Sequence, residues 1–272
     1  MYTITELEKH ARNIRKNIIK MVASAQSGHP GGSLSGVEIL TWLYFNEMDI
    51  NKENVKTIDR DRFVLSKGHA TPLLYAILCE KGFLPEEELV TFRAINSRLQ
   101  GHPNMNYVDG IDMSTGSLGQ GLSTAVGMAL ANKLDNNEHR IYAMIGDGES
   151  QEGQIWEAFM AAANYKLDNL CVVLDFNGLQ IDGDITKVMD PTPFAPKYEA
   201  FNWHVISIDG HDFKAIADAF ALAKTIKNKP TVIIAHTVKG KGVSFMENEA
   251  NWHGSATNPE QTEQALKEIE GV

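Results

Sequence analysis

Two oxygen-bearing side chains set in glycine-rich turns give the first chemical signal in this 272-residue chain. Asp147 lies in Gly146-Asp147-Gly148-Glu149-Ser150, directly after the apolar run Ile141 to Ile145. Asn177 lies in Asp175-Phe176-Asn177-Gly178-Leu179, directly after the run Leu170 to Leu174. Each run has the length and β-branched content of a buried strand. A carboxylate and an amide oxygen at neighbouring strand ends suit a hard divalent cation such as Mg²⁺, which takes few protein ligands and is completed by water and a diphosphate. Gly148 lets the backbone approach a phosphate closely, and the helix that follows turns its positive end toward it. Turn chemistry alone also explains a Gly-Asp-Gly. Its pairing with Asn177 makes the cation reading the better one.

Nine histidines are the second signal. His29, His69, His102 and His253 each abut a glycine, and proline follows the first and third. Rigid, irregular loops of this kind aim a side chain at a ligand, and an imidazole can hydrogen-bond hydroxyls and move protons near neutral pH. The other five have bland readings. His10 and His139 sit among charged residues and are expected in solvent, His204 and His236 fall at strand ends, and His211 falls at a helix start that Asp212 can cap.

These residues need strands and helices to hold them. Short apolar runs at Arg62–Leu65, Ile141–Ile145, Leu170–Leu174, Val205–Ile208 and Thr231–Ala235 end at small or polar residues and alternate with helical patterns. That order predicts an α/β fold, a parallel β-sheet of about five strands with helices on both faces. Thr5 to Ala25 places Leu7, Ala11, Ile14, Ile18 and Val22 at helical spacing, and 152–165 and 213–224 follow the same rule. The proline-rich stretch Asp182 to Ala200 is expected to be a long loop. In an open parallel sheet, ligands bind beyond the carboxyl ends of the strands, where Asp147 and Asn177 fall.

Composition narrows the classes. With 25 basic and 35 acidic side chains the net charge is −10, which argues against nucleic acid or an anionic membrane surface as partner. A hydrophobic fraction of 43% is that of a globular chain, and the absence of repeats or composition shifts leaves residues 1–272 as a single domain. The longest apolar run, Leu73 to Cys79, is far too short to span a bilayer, and residues 1–20 lack a signal-peptide core. The expected location is the cytoplasm. Cys79 and Cys171 sit in apolar stretches and are expected to be buried thiols.

Gly146-Asp147-Gly148, then 28 residues, then Asn177 resembles the thiamin-diphosphate motif of the transketolase-like superfamily. Transketolases in particular are similar at Ser27-Gly28-His29-Pro30-Gly31, at Asp61 to Ala70, at Gly101-His102-Pro103, at Thr115 to Gly121, at Ile181-Asp182-Gly183 and at Trp252-His253-Gly254. The resemblance implies a thiamin-diphosphate-binding fold and specific roles. Asp147, the Asn177 side chain and the Leu179 carbonyl would hold Mg²⁺, or Ca²⁺ or Mn²⁺ in its place. Gly146 and Gly148, with His69 and His253, would meet the diphosphate. Gly116 and Leu118 would contact the cofactor rings through the backbone, Ile181 would pack against the cofactor, and Glu152 would lie at a dimer interface joining two cofactor sites. His29, His69, His102 and His253 would line the sugar channel. Thr237-Val238-Lys239-Gly240-Lys241-Gly242 reads equally as a turn with two solvated lysines or as part of the site.

In that family the glutamate acting on the aminopyrimidine ring, and the pyrimidine pocket, come from a second α/β domain of the opposite subunit. Only 19 residues follow His253, too few for such a domain. The expectation is therefore the N-terminal subunit of a split transketolase of the pentose phosphate pathway. It would move a two-carbon ketol unit from a ketose phosphate to an aldose phosphate, in a heterotetramer with a C-terminal subunit. The alternatives are a related ketol transferase for a branched or unusual sugar phosphate, and a non-catalytic binding module on the same fold. No Gly-x-Gly-x-x-Gly opens a helix after a strand, which argues against a dinucleotide site.

Overall fold

The computed structural model describes residues 1–271. In chain order its elements are helices α1 (Ile4–Ala25), α2 (Pro30–Leu34) and α3 (Val37–Trp42), strand β1 (Arg62–Leu65), α4 (Thr71–Glu80), α5 (Gln120–Leu134), β2 (Ile141–Gly146), α6 (Gly153–Asn164), β3 (Leu170–Phe176), the short strands β4 (Leu179–Gln180) and β5 (Gly183–Asp184), α7 (Ile185–Val188), α8 (Phe194–Ala200), β6 (His204–Asp209), α9 (Phe213–Thr225), β7 (Thr231–His236) and α10 (Pro259–Glu270). All five expected strands form one sheet in the order β1-β2-β3-β7-β6, and every pairing in it is parallel.

Alternate residues of each strand feed separate cores, as the two-residue period of a strand requires. Tyr142, Met144, Cys171, Val173, Ile233 and Ala235 pack on one face with residues of α1, α3, α4 and α9. Ile141, Ala143, Ile145, Val172, Leu174 and Ile234 pack on the other with residues of α5, α6 and α8. Both faces are covered, so β2 and β3 are apolar almost throughout.

The helices start and stop for local reasons. Thr3 and Glu6 form a reciprocal capping box on α1, whose predicted stripe from Leu7 to Val22 is buried. α4 has no stripe: Leu73 to Leu78 is buried on every side. The segment Asp182 to Ala200 departs from the expected loop. It completes the β4–β5 hairpin and carries α7, capped by Asp184, and α8. Pro196 sits in the first turn of α8, where a missing N–H costs nothing, so proline there starts a helix and does not break one. Cys171 is buried as expected, but Cys79 is only half-buried. His10 is not free in solvent; it bonds Glu80 at 2.8 Å and stacks on Phe45. No helix among the described residues is long and apolar enough to cross a membrane.

Candidate active site

The carboxyl ends of β1, β2, β3 and β7 open into one cavity, and most of the predicted site residues line it: His29, His69, Gly116, Leu118, Gly146, Asp147, Gly148, Glu152, Asn177, Leu179, Ile181 and His253. His102 is not on that lining. It stands behind Gly116, whose φ of +146° favours glycine and where a Cβ would come within 3.0 Å of the His102 ring.

Asp147 and Asn177 meet because β2 and β3 are neighbours in register, Gly146 opposite Asp175. One oxygen of Asp147 accepts from the Gly148 amide at 2.8 Å and the other from the Gly178 amide at 2.6 Å. Burial, and then the charge of Asp175, push the Asp147 carboxyl up to about 6 against the pull of those amides. The Asn177 amide donates to Asp175 at 3.2 Å and its oxygen accepts from the Leu179 N–H at 3.2 Å. The available donors are a carboxylate, an amide oxygen and a backbone carbonyl, an all-oxygen set suited to a hard cation that brings its own phosphate ligands. Among the described residues no three His, Cys, Asp or Glu gather in a way that could hold a metal.

Beneath these ligands runs a buried polar layer. Asp175, fully buried, pairs with Lys67, accepts from Ser35 at 2.6 Å and bonds Thr237. Burial opposes its charge, yet Lys67 and these donors outweigh burial and hold the carboxyl below its ordinary range. Lys67 also donates to the Gly32 carbonyl at 2.7 Å. Glu149, 2% exposed, accepts from Ser66 at 2.6 Å, Gly119 N–H at 2.9 Å and Gly146 N–H at 3.0 Å. It pins the β1 end, the Gly116–Gly121 loop and the β2 end to one another. Sequence reasoning misses Lys67, Asp175 and Glu149 as site residues. The signal that could have found them is an ionisable residue placed at the end of a wholly apolar strand.

Three of the four histidines cluster. The His69 and His253 rings stack at 5.1 Å between centroids, and His29 meets each edge-on at 5.3 and 5.4 Å. Burial, aided by nearby positive charges, lowers His29 to about 4 and His253 to about 3, and lowers His69 well below its ordinary value. All three are neutral at pH 7. Lys239 donates to His253 Nδ1 at 2.9 Å, so the His253 ring proton sits on Nε2. The buried His29 Nδ1 has no partner among the described residues.

Lys239 corrects the solvated-turn alternative. It is 2% exposed, donates to the Leu179 carbonyl at 3.0 Å, and is lowered to about 8 by burial. Lys241 does lie at the surface, paired with Glu247 at 3.3 Å. Glu152 and Ile181 are exposed, and Leu118 is partly so, along the cavity rim.

Fold and site together define an α/β domain that gathers oxygen donors, ammonium groups and neutral histidines at the carboxyl ends of its strands. The chain belongs to the transketolase family: residues 7–271 match the family model described as transketolase, thiamine diphosphate binding domain. It is 46% identical over 265 residues to a 6-deoxy-6-sulfo-D-fructose transketolase subunit of Clostridium sp. (strain MSTE9), covering 97% of this chain and 96% of that one. It is 42% identical to an apulose-4-phosphate transketolase subunit of Phocaeicola vulgatus, covering 98% and 94%. The crystal structure of a transketolase from Campylobacter jejuni superposes with a TM-score of 0.93 at 35% identity, over 99% of this chain and 43% of that one. The chain thus spans nearly all of the subunit relatives and about two-fifths of this longer transketolase.

Proposed function

We propose that residues 1–272 form the diphosphate-binding N-terminal subunit of a two-chain transketolase, which moves a two-carbon ketol unit from a ketose phosphate to an aldose phosphate. The observation that carries this reading is the cavity in which Asp147, Asn177 and the His29–His69–His253 cluster meet above a buried Lys67–Asp175 pair. The near-complete overlap with relatives named as transketolase subunits supports a separate partner chain.

Asp147, the Asn177 side-chain oxygen and the Leu179 carbonyl would hold Mg²⁺, with Ca²⁺ or Mn²⁺ able to replace it. The Lys239 ammonium, which donates to the Leu179 carbonyl at 3.0 Å, would give up that contact to the cation and meet a diphosphate. Gly146 and Gly148, with His69 and His253, form the rest of the anion site. When bound, thiamin diphosphate supplies the electron sink for breaking a carbon–carbon bond. Gly116 and Leu118 would present backbone groups to its rings, and Ile181 would cover it. Neutral His29, His69, His102 and His253 both donate and accept hydrogen bonds, which suits orienting sugar hydroxyls and shuttling their protons. The exposed Leu118, Ile181 and Glu152 lie where the C-terminal subunit would close the site, in a heterotetramer joined through Glu152. A cytoplasmic place in pentose phosphate metabolism completes the proposal.

One observation favours a second choice of sugar. The relatives matched end to end are named for 6-deoxy-6-sulfo-D-fructose and apulose 4-phosphate, so a panel of ordinary and unusual ketoses is the right donor set. The cofactor assignment is tested by calorimetry with thiamin diphosphate and Mg²⁺. Asp147→Ala is expected to weaken binding by at least about 100-fold. Unchanged binding would remove the metal site from the proposal.

A further inference from the structure

Arg93 stands outside every role described so far, yet its placement is unusual. Its φ is +62°, a left-handed conformation that costs a residue with a Cβ on the order of 1 kcal/mol. The strain is held by the backbone, where the Arg93 N–H donates to the Leu99 carbonyl at 2.9 Å. The result is to throw the side chain inward. One terminal nitrogen donates to Ser27 Oγ at 2.9 Å, and the guanidinium carbon lies 5.4 Å from the centre of the Phe92 ring. Nε is buried without a partner among the described residues. Across the guanidinium lies Gly101, where a Cβ would fall 2.9 Å from Nε and 3.0 Å from the central carbon. The group is therefore wedged between Ser27-Gly28-His29 and Gly101-His102-Pro103, the two loops that carry His29 and His102.

We propose that Arg93 is a positioning residue, a rigid planar spacer that fixes the His29 loop against the His102 loop. A flat fork with several fixed donors suits this task, and a flexible ammonium does not. The contact also explains the glycine before His102, since any side chain there would displace the fork. A second consequence is electrical. No carboxylate acts on Arg93 among the described residues, so its charge is not neutralised locally. His29 faces that charge together with His102 and Lys239, and its ring touches His69 and His253. His102 faces Arg93 as well. After burial, Arg93 is the leading influence that disfavours protonation at both rings. The inference rests on the proposed function only in giving His29 and His102 work on the sugar.

The test uses the full chain and three variants: Arg93→Met, Arg93→Lys and Gly101→Ala. Histidine ring titration by NMR reads the charge without any substrate. Arg93→Met should move the His29 and His102 midpoints up toward the ordinary imidazole value, leave His253 close to its starting point, and be rescued by Arg93→Lys. With the partner subunit present, Arg93→Met should lower kcat/KM by on the order of 100-fold and shift its acid limb to higher pH. Gly101→Ala, which keeps the charge and disturbs only the wedge, should lower kcat/KM with the midpoints unmoved. Thiamin diphosphate affinity should hold in all three. Unmoved midpoints in Arg93→Met, equal movement of His253, or full turnover in Gly101→Ala would each overturn the assignment. Moved midpoints in a chain that shows no ketol transfer would support Arg93 and count against the function instead.

Discussion

Glu149 shows how a single buried carboxylate can set the geometry of a whole site. Its three partners, Ser66 Oγ, Gly119 N–H and Gly146 N–H, are all placed to donate, so only an acceptor fits between them. Burial pushes the carboxyl up, and those donors with Lys67 pull against it. Glu149→Gln keeps the shape but turns an NH₂ toward at least one donor, leaving buried polar groups unpaired at about 1–3 kcal/mol each. We expect a loss of about 2 kcal/mol in urea unfolding and a weaker grip on the cofactor rings, since the Gly116–Gly121 loop loses its tie. Equal stability of Glu149→Gln and the unchanged chain would show that the tie is dispensable. Such residues are hard to read from sequence for a physical reason. Asp147 and Asn177 announce themselves because each stands beside a glycine just after an apolar run. Lys67, Asp175 and Glu149 act from below, and their role depends on depth and on which loop lies across from them.

At the scale of elements, the loop after β7 is held by parts of the chain far away in sequence. Arg15 of α1 and Glu38 of α3 pair at 2.6 Å, and His211, after β6, bonds Glu38 through Nδ1 at 2.9 Å. The other ring nitrogen of His211 accepts from Val238 N–H at 2.9 Å, and Arg15 Nε donates to the Lys241 carbonyl at 3.1 Å. Lys239 is thus carried on a strap anchored to two helices and a strand end. Burial works against the Glu38 charge, but Arg15 and His211 overcome it and keep the carboxyl below its ordinary range. Removing one partner of such a pair strands the other. Glu38→Gln is expected to lower stability by about 3–5 kcal/mol, with Arg15→Met, which removes the stranded charge, recovering part of it in the double variant. Strict additivity of the two substitutions in urea unfolding would break the link. The strands themselves are legible in the sequence, because short apolar runs closed by small or polar residues and alternating with helical patterns admit few other readings. α1 is legible from its stripe. α4 does not stand out, because a helix buried all round has no stripe; α7 is a single turn, too short to show a period, and α8 is hidden by Pro193 and Pro196 at its start.

For the whole molecule, the net charge does not describe the groups that line the site. The net charge is −10, yet the cavity floor carries Lys67 and Lys239 beside histidines that resist protonation. That arrangement makes a prediction about acid. His29 and His253 have folded-state values near 4 and 3, below the ordinary 6.5, and His69 is lowered too. Below pH 6.5 the unfolded chain takes up protons that the folded chain refuses, so these three groups favour folding above 6.5 and lose that contribution as pH falls toward 3. Asp147 has the opposite sign. Its folded value near 6 exceeds the ordinary 3.8, so it favours folding below 3.8 and loses that contribution as pH rises through 6. Three lowered histidines set against the raised Asp147 and Glu149 carboxyls should leave the cofactor-free chain losing stability from pH 6.5 to 4. Urea titrations across that window should show the slope, and replacing His29, His69 and His253 together with Gln should flatten or reverse it, because the raised Asp147 and Glu149 carboxyls then lose their counterweight. A triple variant with the slope unchanged would place the acid sensitivity outside the site. Excess Mg²⁺ with thiamin diphosphate should steepen the slope of the unchanged chain, since a cation binds only the ionised Asp147 and its stabilisation fades as that carboxyl takes up a proton.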